Sequence, residues 1–436
     1  MWKFIKMLIA GIAVSFYFFP FEFTFLPGVN TKMAMAGVGL VLLGINLSKG
    51  RKGLVNKDVF FLSVIAISLS LLSLLSMTLN NTRDGSFLTY FVSMWVWLGG
   101  AYTAIQILKR VHDGVSVELV CNYLIAVCVA QCIIAYSMTI FPALKNFVDS
   151  FLGGEDAFMG KAEGRLYGIG AALDVAGLRF SAVLVMLAFL SYHYSGSKRI
   201  LPLLYVAAFF IVAVLGNMMA RTTTVGVIIT FLFWIVSGFQ NKGNAKVHLF
   251  GKWFALVSMI VIPLIVVQYN LDPDFKEKIR FGFEGFFSLA ETGKWATGSS
   301  DILIDNMVVF PETLKTWMIG DGYGANPSSD PYYIGPDYHG FYMGTDIGYL
   351  RFLFYFGIFG LIALVSLICY AAASCIKRFQ FYKIMFSMIL AVNLIVWFKV
   401  STDIFMVFAL FLCIPKEDND VYEKLNEDSV SDPLDI

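Results

Sequence analysis

The sequence predicts an all-α polytopic membrane protein, a bundle of about twelve transmembrane helices with a large exported loop. Three observations predict it. Of the 436 residues 58% are hydrophobic and 14% charged, with a mean hydropathy of +0.73, more apolar surface than a water-soluble domain keeps dry. The apolar residues fall in runs of roughly 17–25, the length that crosses a hydrocarbon core. Lysines and arginines gather at every second gap between the runs, as the positive-inside rule requires of cytoplasmic loops. The formal net charge of +1 gives no reason to expect nucleic acid.

In order, the spans are expected near 4–21, 32–48, 59–79, 87–108, 117–141, 176–194, 200–218, 222–239, 248–269, 346–373, 381–399 and 401–414. The first has a basic start and an apolar run, but Pro20-Phe21-Glu22 follows where a small-residue cleavage site would stand, so it reads as an uncleaved span. Lys3/Lys6, Lys49/Arg51/Lys52/Lys57, Lys109/Arg110, Lys198/Arg199, Lys242/Lys246 and Lys377/Arg378 mark the cytoplasmic ends. Both termini then lie inside, with residues 1–415 as the membrane domain and 416–436 as an acidic, disordered cytoplasmic tail. Two long exported loops remain, 142–175 and 270–345, and Phe275–Leu289 and Asp301–Trp317 within the second read as helices lying at the interface. The six cysteines show neither a disulfide framework nor zinc spacing.

Function is expected where that second loop meets its helix, Ile319 to Gly360. Gly320, Gly322 and Gly324 permit tight turns, Pro327, Pro331 and Pro336 extend the chain, and Tyr323, Tyr338 and Tyr349 offer flat faces for a ligand. Asp346 stands where the helix begins, either as a base or as a simple helix cap. His339 is the one histidine expected outside, as a rival base or as a structural residue. The exported face also carries arginines that its charge rule disfavours. Arg165 lies in the first loop, Arg179 in the first turn of the next span, and Arg221 alone between two spans. Their planar forks suit the oxygens of a pyrophosphate. Arg179 could instead snorkel or pair with Asp174, and Arg165 could pair with Glu163; Arg221 has no acidic neighbour in sequence. No Walker motif, nucleotide-sugar motif or metal cluster is present, so neither a metal nor a nucleotide cofactor is expected.

Together these pieces resemble the bacterial O-antigen polymerase and ligase superfamily, closest to the Wzy-type polymerases. Arg165-Leu-Tyr-Gly168 with Ala171-Ala-Leu-Asp174-Val-Ala-Gly177, then Ala220-Arg221-Thr222, then Gly320-Asp-Gly-Tyr-Gly324 with Thr345-Asp346-Ile-Gly-Tyr-Leu and Phe356-Gly357-Ile-Phe-Gly360 carry the likeness over roughly 117–375. Leu173-Asp174 replaces the usual Pro-Asn, and Thr345-Asp346 stands where many relatives have His-Asn. The resemblance implies a GT-C-type membrane glycosyltransferase of the bacterial inner membrane. Its donor and acceptor would be undecaprenyl-pyrophosphate-linked glycans joined at the periplasmic face into O-antigen or capsular polysaccharide, and a chain-length regulator is a conceivable protein partner. Arg221, Arg165, Asp346 and His339 become the catalytic candidates, with Arg179, Gly322, Gly324, Tyr323, Tyr338 and Tyr349 as substrate contacts. The alternatives are an O-antigen ligase, delivering the glycan to lipid A core, and a flippase or transporter of lipid-linked sugar. The gathering of polar features on one face favours an enzyme over a transporter.

Overall fold

The computed structural model describes residues 2–50, 54, 56–153, 164–194, 200–240, 245–329, 333–338, 340–416, 418 and 419. A helix forms within each of the twelve apolar stretches. They are α1 (Trp2–Phe18), α2 (Thr31–Ser48), α3 (Lys57–Asn80), α4 (Tyr90–His112), α5 (Val117–Ile140), α7 (Leu173–His193), α8 (Leu201–Met219), α9 (Thr223–Gln240), α10 (Ala245–Leu271), α15 (Gly348–Arg378), α16 (Lys383–Val396) and α17 (Phe405–Leu412). Eight, namely α2–α5, α7, α8, α10 and α15, are long and apolar enough to cross a membrane. Short helices occupy the loops: α6 (Pro142–Phe151), α11 (Pro273–Gly282), α12 (Glu284–Thr292), α13 (Gly298–Ile302) and α14 (Leu314–Ile319). Local chemistry sets several of the starts, since Asn30, Asn56 and Ser116 each accept a backbone N–H as the N-cap of α2, α3 and α5.

The core is centred on α7. Every residue from Ala176 to Ser191 is buried, by contacts with α5, α8, α9 and α16. The outer helices invert this pattern. Met259, Ile260, Leu264 and Val267 on α10, and Leu71, Leu74 and Leu75 on α3, leave large apolar side chains exposed, as a lipid-facing surface requires.

Four sequence expectations change. The twelfth stretch, 401–414, is helical only over the eight residues of α17, about 12 Å of rise; the chain before it runs irregularly. Residues 301–317 do not form one helix: α13 passes into a π turn at Leu303–Met307, and an extended piece containing Pro311 separates it from α14. Phe275–Leu289 breaks at Phe283 into α11 and α12. A small antiparallel sheet, β1 (Glu22–Phe23), β2 (Leu26–Asn30) and β3 (Leu152–Gly153), joins the first hairpin to the 142–175 loop, in the order β2-β1-β3. The tail from residue 420 onward lies outside the described residues.

One kink positions the large loop. At Phe356 and Gly357 the α15 backbone leaves helical geometry, which releases the carbonyls of Phe354 and Tyr355 from their helical partners. The N–H of Asp321 donates to Phe354 O at 2.6 Å and that of Gly322 to Tyr355 O at 3.1 Å, while Ser76 Oγ donates to Tyr355 O at 2.7 Å. Backbone must meet backbone for this. Gly320 (φ +78°) leaves no room for a Cβ, which would lie 2.5 Å from Tyr355, and a Cβ on Gly357 (φ +68°) would lie 2.3 Å from Met318. Gly357→Ala is therefore expected to destabilise by at least about 1–3 kcal/mol from backbone strain alone. Gly44→Ala, on a helical turn of α2 with open space around it, is expected to be neutral or slightly stabilising. Thermal midpoints of the two variants in one detergent check the pair; equal midpoints would remove the kink from this account.

Candidate active site

The site begins with two helices that touch. A Cβ on Gly177 of α7 would sit 1.9 Å from Thr222 Oγ1, and one on Gly226 of α9 would sit 2.4 Å from Ser181 Cα, so both glycines are needed for this approach. Ser181 Oγ donates to Thr222 O at 3.0 Å and accepts from Gly226 N at 3.2 Å. The approach brings Thr222 Oγ1 to Asp174, to which it donates at 3.1 Å. Asp174 also pairs with Lys399 Nζ at 3.7 Å. The residue before Asp174, Leu173, takes a left-handed φ of +56°, strained for a branched side chain and positioned at the edge of the site.

Arg221 and Arg165 meet over one ring. Their guanidinium groups lie 4.5 Å and 4.8 Å from the centre of Phe281, which α11 supplies. Leu166 N donates to Met218 O at 3.2 Å and holds the Arg165 loop beside the end of α8. Arg221 forms an ion pair with Glu284 of α12. Burial works against the charge on Arg165, Asp174 supports it and Arg221 opposes it. Three cations, Arg165, Arg221 and Lys399, thus converge on two carboxylates, Asp174 and Glu284. An open cleft of about 790 Å³ starts at Arg221 and runs past Phe281 and Glu284. A narrower hollow of about 160 Å³ connects Arg221 to Lys399.

Asp346 borders this cluster. Its capping alternative is not realised: Ile347 is the N-cap residue of α15, and Thr345 Oγ1 accepts the Ile347 N–H at 3.2 Å. Among the described residues the Asp346 carboxylate makes no hydrogen bond or ion pair. Burial raises its pKa above the usual carboxylate value; Arg351 and Lys399 oppose that rise, and Asp174 adds to it. Arg351 is clamped, donating to Ser401 Oγ at 2.5 Å and Gly324 O at 3.1 Å beneath the Phe341 ring at 3.3 Å, and its buried Nε has no partner among the described residues.

The other expected residues divide by surroundings. Arg179 is 7% exposed and stands apart from Arg165 and Arg221: its Nε lies 3.1 Å from Met406 Sδ, and its guanidinium is 5.5 Å from the Phe19 ring. It does not pair with Asp174, which Lys399 and Thr222 occupy. Gly322 and Gly324 serve the backbone. Thr82 Oγ1 donates to Gly322 O at 3.0 Å, and Asp84 accepts the N–H groups of Gly324 and Ala325 at 2.8 and 2.9 Å. Burial disfavours the Asp84 carboxylate, yet the N–H groups of Ala325, Gly324 and Ser86 and the Ser86 hydroxyl outweigh it and hold its pKa below the usual value.

Tyr323 and Tyr338 join a loop cluster, each about 5.5 Å (5.5 and 5.4 Å) from the Tyr342 ring. The Tyr349 hydroxyl is spent on Leu394 O at 2.8 Å, with its ring against Phe398. His339 and Glu163 lie outside the described residues.

Lys399, Glu284, Phe281 and Arg351 escape a reading of the sequence. Lys399 carried a usable signal, since it is a lone cation between two apolar stretches, the same signal that singles out Arg221. Glu284 carried none, being 63 residues from its partner. No family model, curated protein or solved structure matches this chain.

The Arg221–Glu284 pair gives a direct test of what the cations receive. An incoming anion must compete with Glu284 for Arg221. Glu284→Gln is therefore expected to tighten binding of inorganic pyrophosphate by up to about fivefold, the worth of a part-exposed ion pair. Arg221→Ala is expected to abolish it. Titration calorimetry on detergent-purified protein measures both, and weaker binding by the glutamine variant would contradict the competition.

Proposed function

We propose that this protein is a membrane glycosyltransferase that polymerises lipid-pyrophosphate-linked oligosaccharide repeats. The reading follows the resemblance to Wzy-type polymerases, with Arg165, Arg221 and Asp346 carried over from its motifs. The single observation that supports it best is chemical: a half-buried carboxylate, Asp346, with no hydrogen bond or ion pair among the described residues, lies within the fields of Lys399 and Asp174, on which Arg165 and Arg221 also bear.

In this reading Arg165, Arg221 and Lys399 receive the donor pyrophosphate. The acceptor sugar hydroxyl attacks the anomeric carbon of the donor glycan. A new C–O bond forms there as the C–O bond to the lipid pyrophosphate breaks, and the bonding pair leaves on the phosphate oxygen. Asp346 takes the hydroxyl proton. Pyrophosphate is already a good leaving group, so fixed donors aimed at its developing charge supply most of the help; losing one typically costs about 3–4 kcal/mol. Arg351 positions the loop and keeps a positive field on Asp346 without competing for it as an ion-pair partner.

The membrane is the bacterial inner membrane in this reading, with the site periplasmic, both termini cytoplasmic and a GT-C-type fold. Cells lacking the protein are expected to attach a single repeat to lipid A core, because the ligase is a separate enzyme; a capsule producer would accumulate single-unit intermediates. Loss of even the first repeat would identify a ligase instead.

Arg221→Ala is expected to abolish polymer at normal membrane levels, and Arg221→Lys to restore little, since a single ammonium cannot replace the bidentate fork. Polymerisation by purified protein should rise with pH as Asp346 ionises. Because burial raises that pKa, the acid limb lies above the roughly pH 4 of an exposed carboxylate. Asp346→Asn should remove both the activity and the limb, and full chains from this variant would exclude Asp346 as the base.

A further inference from the structure

The ends of four helices enclose a second charged cavity. Helices α2, α4, α15 and α17 all finish around a hollow of about 700 Å³. Lys49, Lys109, Arg110, Arg378 and Lys416 line it, and among the described residues no aspartate or glutamate does.

Two of the five cations are engaged. Lys109 pairs with Asp418 at 2.8 Å, and Arg378 donates to the carbonyls of Leu412 (2.9 Å) and Ile414 at the end of α17. Lys49, Arg110 and Lys416 make no ion pair with any described residue. Like charges gathered round one partly enclosed hollow repel one another. Among the described residues Asp418 is the one carboxylate paired with these five cations, so the hollow keeps an excess of positive charge that an anion would balance.

The remaining lining gives the anion's surroundings. Gln106 adds a neutral donor, and Leu42, Ile45 and Leu54 form an apolar wall. Beyond that wall α2 exposes Val38, Leu40 and Val41, a face suited to hydrocarbon. Cations beside an apolar wall at a helix-bundle end match a phosphate joined to lipid chains.

We propose that this cavity binds a phosphate-bearing anion, with the headgroup of an anionic phospholipid as its natural source. The site is independent of the candidate active site, one helix length away. It binds rather than reacts: Lys49, Arg110 and Lys416 hold the phosphate oxygens, Gln106 hydrogen-bonds the headgroup, and the chains lie against α2.

The test uses the full chain, delipidated in a neutral detergent. Phosphatidylglycerol, phosphatidylcholine and inorganic phosphate are titrated separately, with binding followed by native mass spectrometry and by the thermal midpoint. Phosphatidylglycerol should bind the wild type and raise its midpoint, and phosphatidylcholine should not. The triple variant Lys49→Ala/Arg110→Ala/Lys416→Ala should lose at least tenfold in affinity. Lys49→Arg/Arg110→Lys/Lys416→Arg should keep it, which separates lost charge from lost folding. Lys3→Ala/Lys6→Ala/Lys377→Ala removes equal charge from exposed positions outside the cavity and should bind as wild type does. Binding of inorganic phosphate alone, lost in the same triple variant, supports the site with a soluble anion as its ligand. The proposal is overturned if the wild type binds neither probe, if the triple variant retains full affinity, or if the control variant loses as much.

Discussion

The rest of the structure depends on where two backbone carbonyls find their donors. A membrane bundle offers no water to a broken helix, so the kink at Phe356–Gly357 would leave Phe354 O and Tyr355 O unsatisfied at a cost of several kcal/mol. The N–H groups of Asp321 and Gly322 satisfy them, and Ser76 adds a third donor from α3. The large loop is thus tied to α15 by its backbone, whatever its side chains do. Asn80, Thr82 and Asp84 then hold the loop from the other side. Because Arg351 donates to Gly324 O, the same lock fixes the first turns of α15, and with them Asp346. The glycine motif matters here for close approach.

A comparable economy governs the charges. Three cations in a half-buried cluster repel one another, and Asp174 and Glu284 offset this without neutralising it. The two carboxylates differ in kind. Asp174 is built into the α7–α9 contact through Thr222. Glu284 sits on a loop helix, its side chain 38% exposed, and holds Arg221 only from the side that opens to the cleft. Under the proposed function a diphosphate would displace the second and keep the first. Phe281 gives both arginines a planar surface that fixes their orientation at little desolvation cost.

Much of this was legible in the sequence, and the reasons the remainder was not are physical. Hydropathy reports transfer into lipid, so it found all twelve helical stretches, yet it could not separate a full helix from the short α17 with an irregular lead. Charge placed against the positive-inside rule found Arg221 and Arg165, which do share a surface. The same rule misjudged Arg179, because it counts a cation near a span end without seeing which way the helix is turned; α7 is enclosed all round, so this arginine faces the core. Asp174 with Lys399 is a contact across 225 positions that only the closed bundle creates. The strand trio was invisible for a simpler reason: Glu22–Phe23 and Leu152–Gly153 are too short to carry a period.

The irregular segment before α17 shows why that helix is short. Residues 397–404 lie within the bundle, where non-helical backbone survives only if protein groups satisfy it. They do so closely: Trp397 Nε1 donates to Thr402 O at 2.8 Å, Ile404 N to Asn393 Oδ1 at 2.8 Å, and Phe405 N to Asp403 Oδ1 at 2.9 Å. This irregular run puts several functions on one short path. Lys399 reaches outward to Asp174, Ser401 anchors Arg351, and Asp403 turns inward beside Tyr90, under the fields of Lys32 and Arg179. A continuous helix would rotate these residues by about 100° per step and scatter them round its axis. Giving up helix here is what lets one segment hold the cleft cation, the Arg351 anchor and the counter-charge for the buried Arg179 together.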